Sequence, residues 1–373
     1  MLAAALLAAT VQVPVIEPIR LRTVLPSKAV VMVERIPAAR AVTVQLWVSA
    51  APAPETYATH GWRHLLEHLV ARGNGSVDQK VETAGGFLRA ETYRTSTVFS
   101  IVAPKGAWTT ALECLHDMAR FPEVTPERIA KEADILVQEG LLRTPADRMA
   151  SSLWEKAYKE AGLDPFGNLD TIRGATPDDL RALYRKLFVL PGMVVTVSGD
   201  IDLDVATQAA TAALAGLPPE PEVPKLPSGV AHPILYEGPG GARAVPVGSF
   251  RDPDTVAVLA AALGAASEIP GSFVTYTPSN EKGLIIVGHP SDADILNKID
   301  GFRPDDLFGR GRSLARLWLE KKLRDPAARG LLLVQARDLR PEIGDENLTS
   351  MSTARFANAL AQFRKGKALE TAE

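Results

Sequence analysis

The sequence predicts an α+β protein built from two related halves, and three observations carry that expectation. Alternating, β-branched stretches such as Val42–Val48 (V-T-V-Q-L-W-V) are interleaved with helical stretches that open on capping signals. A segment holding Pro218, Pro219, Pro221, Pro224 and Pro227 divides the chain as an extended, semi-rigid linker. Beyond it, the order of strand, helix, strand pair and helices partly recurs. The expected organisation is a first half at 19–215, a linker at 216–229 and a shortened second half at 230–373. Residues 1–18 form a possible signal or N-terminal extension.

In chain order, Arg20–Glu34 and Ala41–Ala50 read as strands, and Pro52 and Pro54 mark a loop. A helix is expected over Trp62–Arg72, ended by Gly73-Asn74-Gly75, and a short one over Asp78–Ala84. Phe87–Glu91 and Thr95–Ala103 read as a strand pair, followed by a helix over Gly106–Arg120 with Pro122 beyond it. Thr125-Pro126-Glu127 opens a helix to Leu142, with Pro in its first turn. Helices are expected over Met149–Lys159, Thr176–Phe188 and Asp202–Leu214, with a buried strand at Met193–Ser198. In the second half, Ala242–Val247 (A-R-A-V-P-V) echoes Ala39–Val44 (A-R-A-V-T-V). A helix at Pro253–Ser267, strands at Ser272–Thr277 and Gly283–Gly288, and helices at Asp292–Asp300, Asp305–Arg324 and Thr349–Arg364 complete the pattern.

Composition narrows the function classes. With 46% hydrophobic and 23% charged residues, the 373-residue chain has the balance of a globular protein. A net charge of −3 gives no case for nucleic acid or an anionic membrane as partner. Cys114 is the single cysteine, which excludes an intrachain disulfide and a Cys-based zinc site. No run reaches the roughly eighteen apolar residues of a membrane span. Met1–Val15 is rich in Ala and Leu but lacks a basic start. A periplasmic or secreted protein is therefore one expectation, and a cytoplasmic one the alternative.

The chemistry gathers at Gly61–His68, G-W-R-H-L-L-E-H. His64 and His68 stand one helical turn apart on one face, a spacing at which two imidazoles can share a Zn²⁺. Glu67 reaches the same face, where it could deprotonate a water. This is the inverse of the H-E-x-x-H zinc helix. Catalytic zinc takes three protein ligands and leaves one position open. Glu132 and Glu139 lie two turns apart on the helix after Thr125. Glu139 is the candidate third ligand and Glu132 a supporting carboxylate. Helix carboxylates are commonly solvated, so spacing alone leaves both assignments open.

Several stretches together resemble the insulinase/pitrilysin family of zinc metallopeptidases, in its processing-peptidase-like branch. Val44–Val48, Glu55 and the H-x-x-E-H stretch resemble that family's strand, acidic position and metal helix. Gly85-Gly86-Phe87-Leu88-Arg89-Ala90 resembles its G-G-x-x-N-A segment, and Glu132, Ile135 and Glu139 its E-x-x-V-I-x-x-E helix. Asp164–Gly174 resembles its H-P-x-G turn and I-x-G, and Thr176–Asp200 its T-x-x-D-L to V-x-G-D series.

The resemblance implies one zinc per chain held by His64, His68 and Glu139, with Glu67 as general base and Glu132 in support. It implies substrate contacts at Arg89 and Ala90, and two homologous halves, each a mixed or antiparallel sheet covered by helices. Arg89 stands where the family has Asn, and Arg cannot mimic an amide's acceptor oxygen. The family's s-r-L-x-x-x-L-R-E helix and g-l-a-Y segment are not found in 230–373. Arg316–Arg324 resembles the first but follows the strand pair, which leaves Arg316 and Tyr276 as substitutes.

Two functions are expected from this. One is a zinc endopeptidase acting on short or unfolded peptides. The other is a non-cleaving, peptide-binding or partner subunit, paired with a homologue or with a second copy of itself.

Overall fold

The computed structural model describes residues 18–72, 77–120, 124–219, 226–227, 236, 238–278, 283–335, 340 and 343–369. Its first elements are β1 (Ile19–Val24), β2 (Val30–Arg35), β3 (Ala41–Ser49), α1 (Trp62–Arg72), α2 (Val77–Thr83), β4 (Phe87–Thr92) and β5 (Ser96–Pro104). Then come α3 (Trp108–Ala119), α4 (Pro126–Leu142), α5 (Pro145–Tyr158), α6 (Leu169–Arg173), α7 (Pro177–Leu187), β6 (Met193–Gly199) and α8 (Leu203–Ala213). The remainder is β7 (Gly241–Val247), α9 (Pro253–Ser267), β8 (Phe273–Thr275), β9 (Gly283–His289), α10 (Ile295–Gly301), α11 (Pro304–Arg324), α12 (Pro326–Gln335), α13 (Ile343–Thr349), α14 (Thr353–Lys365) and β10 (Lys367–Leu369).

Two sheets organise these elements. The larger runs β1-β2-β6-β3-β5-β4, with only β2 and β6 parallel; the smaller runs β10-β7-β9-β8 and is antiparallel throughout. The run β6-β3-β5-β4 corresponds strand for strand to β10-β7-β9-β8. In each, helix separates the first strand of the hairpin core from the next: α1 and α2 between β3 and β4, α9 between β7 and β8. Among the described residues, the smaller sheet has no counterpart of β1 and β2.

Some expectations are corrected. The stretch 20–34 is a hairpin, not one strand. Pro26 takes the second position of a turn in which Lys28 N–H donates to Leu25 O (2.8 Å), because its ring fixes φ for a turn. The helix expected from Met149 starts at Pro145, where Thr144 and Asp147 form a reciprocal capping box. The helix expected over Thr349–Arg364 is α14, which starts at Thr353 because Ser352 accepts from Arg355 N–H and caps it; α13, which ends at Thr349, was not expected. Helix α12 was not expected at all. Gly73–Gly75, Pro122, Met1–Val15 and most of the Pro-rich linker lie outside the described residues.

The larger sheet packs one face on α1, α3, α7 and α8 through residues such as Val44, Phe99, Leu65, Leu112 and Leu183. Leu65, Leu66, Leu69 and Val70 are fully buried. Each contributes roughly 1.5–3 kcal/mol on burial, which fixes the rotation of α1. The smaller sheet packs on α9 and its neighbours in a second cluster.

Each sheet also receives a helix from the far part of the chain. Helix α5 lays Met149, Leu153 and Trp154 on Ala242, Ala244, Leu284 and Ile286 of the smaller sheet. Helix α12 covers the polar face of the larger one: Leu331 meets Trp47 and Val98, and Gln45 Nε2 donates to Ala327 O (2.9 Å). Beside them the buried Glu34 carboxylate accepts from Arg329 Nη2 (2.7 Å) and Arg20 Nε (2.6 Å). No helix among the described residues is long and apolar enough to cross a membrane.

Candidate metal centre

Helix α1 is seated before its chemistry begins. Glu55 accepts from Gly61 N–H (2.9 Å) and pairs with the buried Arg63 (3.3 Å), whose Nη1 donates to Tyr93 O (2.8 Å). With the leucine face in the core, His64, Glu67 and His68 turn toward α4. That helix is capped by Thr125, which accepts from Arg128 N–H, and is packed through Ile129, Ala133 and Leu136. Two turns apart on it, Glu132 is buried behind His68 while Glu139 stands in front of both imidazoles. Glu139 lies 3.7 Å from His64 Nε2 and 3.6 Å from His68 Nε2.

Both imidazoles are oriented by their other nitrogen. His64 Nδ1 donates to Phe166 O (3.0 Å), and His68 Nδ1 to Glu132 Oε2 (3.2 Å). A carbonyl or carboxylate can only accept, so the proton sits on Nδ1 and Nε2 keeps its lone pair. Among the described residues, His64, His68 and Glu139 form a group whose donor atoms lie within 4.8 Å of one another. Donors 2.0–2.2 Å from a tetrahedral zinc stand roughly 3.3–3.6 Å apart. The donor types and the tautomers fit such an ion, with Glu139 Oε2 3.7 Å from His64 Nε2 and Glu139 Oε1 3.6 Å from His68 Nε2.

Burial pushes His64 down to about 4 against the pull of the Phe166 carbonyl, leaving it neutral, the form that ligates. Burial also disfavours charge on His68, but its bond to Glu132 and the nearby Glu67, Glu139 and Glu132 hold it above the ordinary value. Burial pushes Glu67 up to about 7, opposed by His68 and by the Thr92 hydroxyl, which donates to Glu67 Oε2 (2.9 Å). A carboxylate poised near 7 suits proton transfer near neutral pH.

These groups open on a cavity of about 390 Å³ whose further walls are Ala90–Tyr93 and Asp164–Phe166. Strand β4 ends the sheet, and its outer edge has no strand partner among the described residues. Ala90 lines the cavity. Arg89 does not; its guanidinium donates to Glu91 (2.7 Å). Glu132 also lies outside the cavity, reaching it only through His68. Tyr276 and Arg316 are not at the site: Tyr276 packs with Phe250 and Trp318, and Arg316 pairs with Asp345 (2.8 Å).

Sequence reasoning missed Thr92 and the Phe166 carbonyl. Thr92 lies two residues from Ala90, hence on the same side of the strand, which was a usable signal. The carbonyl is brought in by a close backbone crossing. Gly61 and Gly167 both have φ of 97°, and a Cβ on Gly167 would fall 2.2 Å from Gly61 Cα.

Residues 30–161 match the sequence profile of Insulinase (Peptidase family M16), and 174–242 that of the Peptidase M16 inactive domain. An uncharacterized zinc protease of Mycobacterium leprae is 23% identical over 192 residues, 49% of this chain and 43% of the relative. A probable mitochondrial-processing peptidase subunit beta of Arabidopsis thaliana is 24% identical over 190 residues, 48% of this chain and 35% of the relative. The chain thus spans less than half the length of these relatives.

The fold matches a protease from Helicobacter pylori, with a TM-score of 0.76 and 15% identity, over 94% of this chain and 98% of that one. It also matches the first half of the periplasmic protease PqqL from Escherichia coli, with a TM-score of 0.66 and 15% identity, over 93% and 90%. With two adjoining profiles of one family covering more than half of its residues, the chain belongs to the insulinase family, peptidase family M16.

Proposed function

We propose that this chain is a zinc-dependent endopeptidase acting on short or unfolded peptides, with His64, His68 and Glu139 as ligands of one zinc. The observation that carries the reading is the convergence of two Nε2 lone pairs, Glu139 and Glu67 on one cavity beside a strand edge unpaired among the described residues. Zinc bound there would supply Lewis acidity, polarising a peptide carbonyl and making water more acidic. Glu67 takes the water's proton and passes it to the leaving amine, so that hydroxyl adds to the carbonyl carbon as the C–N bond breaks. Thr92 holds the Glu67 carboxylate in place, and Glu132 holds His68. The edge of β4 at Arg89 and Ala90 aligns an extended peptide by strand pairing. The organisation proposed is two homologous halves, 19–215 and 230–373, joined by the linker at 216–229.

A partner is part of the reading. The chain resembles the first half of one solved protease end to end, and it lacks the Arg and Tyr segments sought in 230–373. A homologous second subunit, or a second copy of this chain, would complete the substrate chamber. The alternative, a peptide-binding subunit without turnover, is favoured by the same absence and disfavoured by the complete metal set. Export to the periplasm or beyond remains part of the proposal, resting on Met1–Val15.

The test is turnover of a quenched, unstructured peptide by the purified chain, alone and with a homologue from the same genome, with and without chelator. Chelator-sensitive cleavage that rises with the homologue is expected. Cleavage insensitive to chelator would overturn the zinc mechanism, and fast turnover unchanged by the homologue would remove the partner.

A further inference from the structure

The turn that holds His64 is itself held from the other sheet. Asp164 Oδ1 accepts from Phe166 N–H (3.1 Å), and Gly167 N–H donates to Asp164 O (3.0 Å), which closes the turn and aims the Phe166 carbonyl at His64 Nδ1. The same Asp164 carbonyl accepts from His60 Nε2 (2.8 Å), fastening the turn to the segment before α1. The other carboxylate oxygen, Oδ2, accepts from Ser151 Oγ on α5 (2.7 Å) and pairs with Arg143. Arg143 also lies over the Phe166 ring (4.9 Å), which stands edge-on to His64 (5.6 Å). Ser151 projects from α5 away from Met149 and Leu153, which rest on β7 and β9. A continuous chain of contacts therefore runs from the smaller sheet through α5, Ser151 and Asp164 to the Phe166 carbonyl and the metal ligand.

We propose that Asp164 is a positioning residue for the metal ligand His64, acting through the Phe166 carbonyl and braced by Ser151 of α5 against the smaller sheet. The inference rests on the zinc reading above. It gives the smaller sheet a task at the site: keeping His64 in the tautomer and orientation that offer Nε2 to the ion. Asp164, Pro165 and Phe166 line the cavity, but the role proposed for Asp164 is exerted on the ligand. Its effect is on metal affinity and ligand geometry, the usual consequence of altering a group that orients a ligand.

The test compares zinc affinity, by competition with a chromophoric chelator, in the wild type, Asp164→Ala, Ser151→Ala and the remote control Asp300→Asn. The control breaks the pair with buried Arg243 beside the smaller sheet. Thermal midpoints of the metal-free proteins and the visible spectrum of the Co²⁺-loaded proteins are read alongside. Asp164→Ala is expected to weaken zinc binding on the order of 10- to 100-fold and to shift the Co²⁺ bands. Ser151→Ala should do so a few-fold. Asp300→Asn should lower the thermal midpoint and leave both metal readouts unchanged.

Wild-type affinity and spectrum in both Asp164→Ala and Ser151→Ala would overturn the inference, as would an equal loss in Asp300→Asn. If Asp164→Ala does not fold, Ser151→Ala decides. A wild-type protein that takes up no zinc would overturn the metal reading itself, which is a different outcome from affinity that the variants leave intact.

Discussion

Helices α1 and α9 sit at the same point of two corresponding sheets, each following the central strand of its hairpin core. Helix α9 is Ala- and Val-rich and buried on every side, from Thr255 to Ala265, beneath α11, α13 and α14. Helix α1 buries Arg63 and Glu67 as well as its leucine face, and leaves His64 and His68 half-buried against α4, where the cavity opens. The architecture is shared and the chemistry is not, because a site needs polar groups, a gap and partners for those groups. Without Phe166 O, Glu132 and Thr92, burying His64, His68 and Glu67 would leave unpaired polar atoms, at a cost of roughly 1–3 kcal/mol each. The plain helix largely avoids that cost by carrying almost nothing polar, the buried Thr255 hydroxyl excepted, and the residues of the candidate site are an addition to a common frame.

Variants sharpen this contrast, beginning with the largest effect. Glu67→Gln keeps the size and most hydrogen bonding of the side chain but cannot serve as a base near neutral pH. Peptidase turnover is expected to fall about 10²- to 10⁴-fold with zinc content unchanged. An active Glu67→Gln protein would remove Glu67 from the proton path, and loss of metal would make it a structural group.

Next is the tie between the two sheets. Arg329→Met leaves Glu34 buried with Arg20 alone, at a cost of ~3 kcal/mol for a broken buried pair. Burial would raise the Glu34 carboxyl, but Arg329 and Arg20 outweigh it and hold the folded value below the ordinary 4.5. A depressed carboxylate contributes stability above its unfolded value and loses it as pH falls through the folded one. Denaturation of wild type and variant should therefore differ fully at pH 7 and progressively less below about 4.5. A difference independent of pH would contradict the assignment.

The smallest effect is expected from Thr92→Val, which keeps the strand and removes one hydrogen bond to Glu67. Turnover should drop roughly two- to tenfold, with metal affinity unchanged. An unaltered rate would mean that burial alone orients Glu67.

Much of the site was legible because its signals are local. Trp62–Arg72 emerges as a helix with the bounds expected, and the helical period places His64 with His68 and Glu132 with Glu139. The convergence of the two helices rested on resemblance and could not be read from either period. The parts that escaped are non-local. A backbone carbonyl 102 positions from His64 leaves no mark in side-chain pattern. The exchange of α5 and α12 between sheets likewise depends on which faces meet, and α12 has an amphipathic pattern too short to announce itself beside Pro326. The hairpin at Leu25–Lys28 was readable from Pro26, but the β-branched residues on both sides of it masked the turn.

The central claim is that His64, His68 and Glu139 form one metal centre. Its most direct test is the zinc content, after exhaustive dialysis, of the purified wild type beside His68→Ala and Glu139→Gln, with folding checked by circular dichroism. One zinc per wild-type chain and a large loss in both folded variants is the expected result. A wild type that retains no metal, or a folded His68→Ala protein that retains a full equivalent, would contradict it.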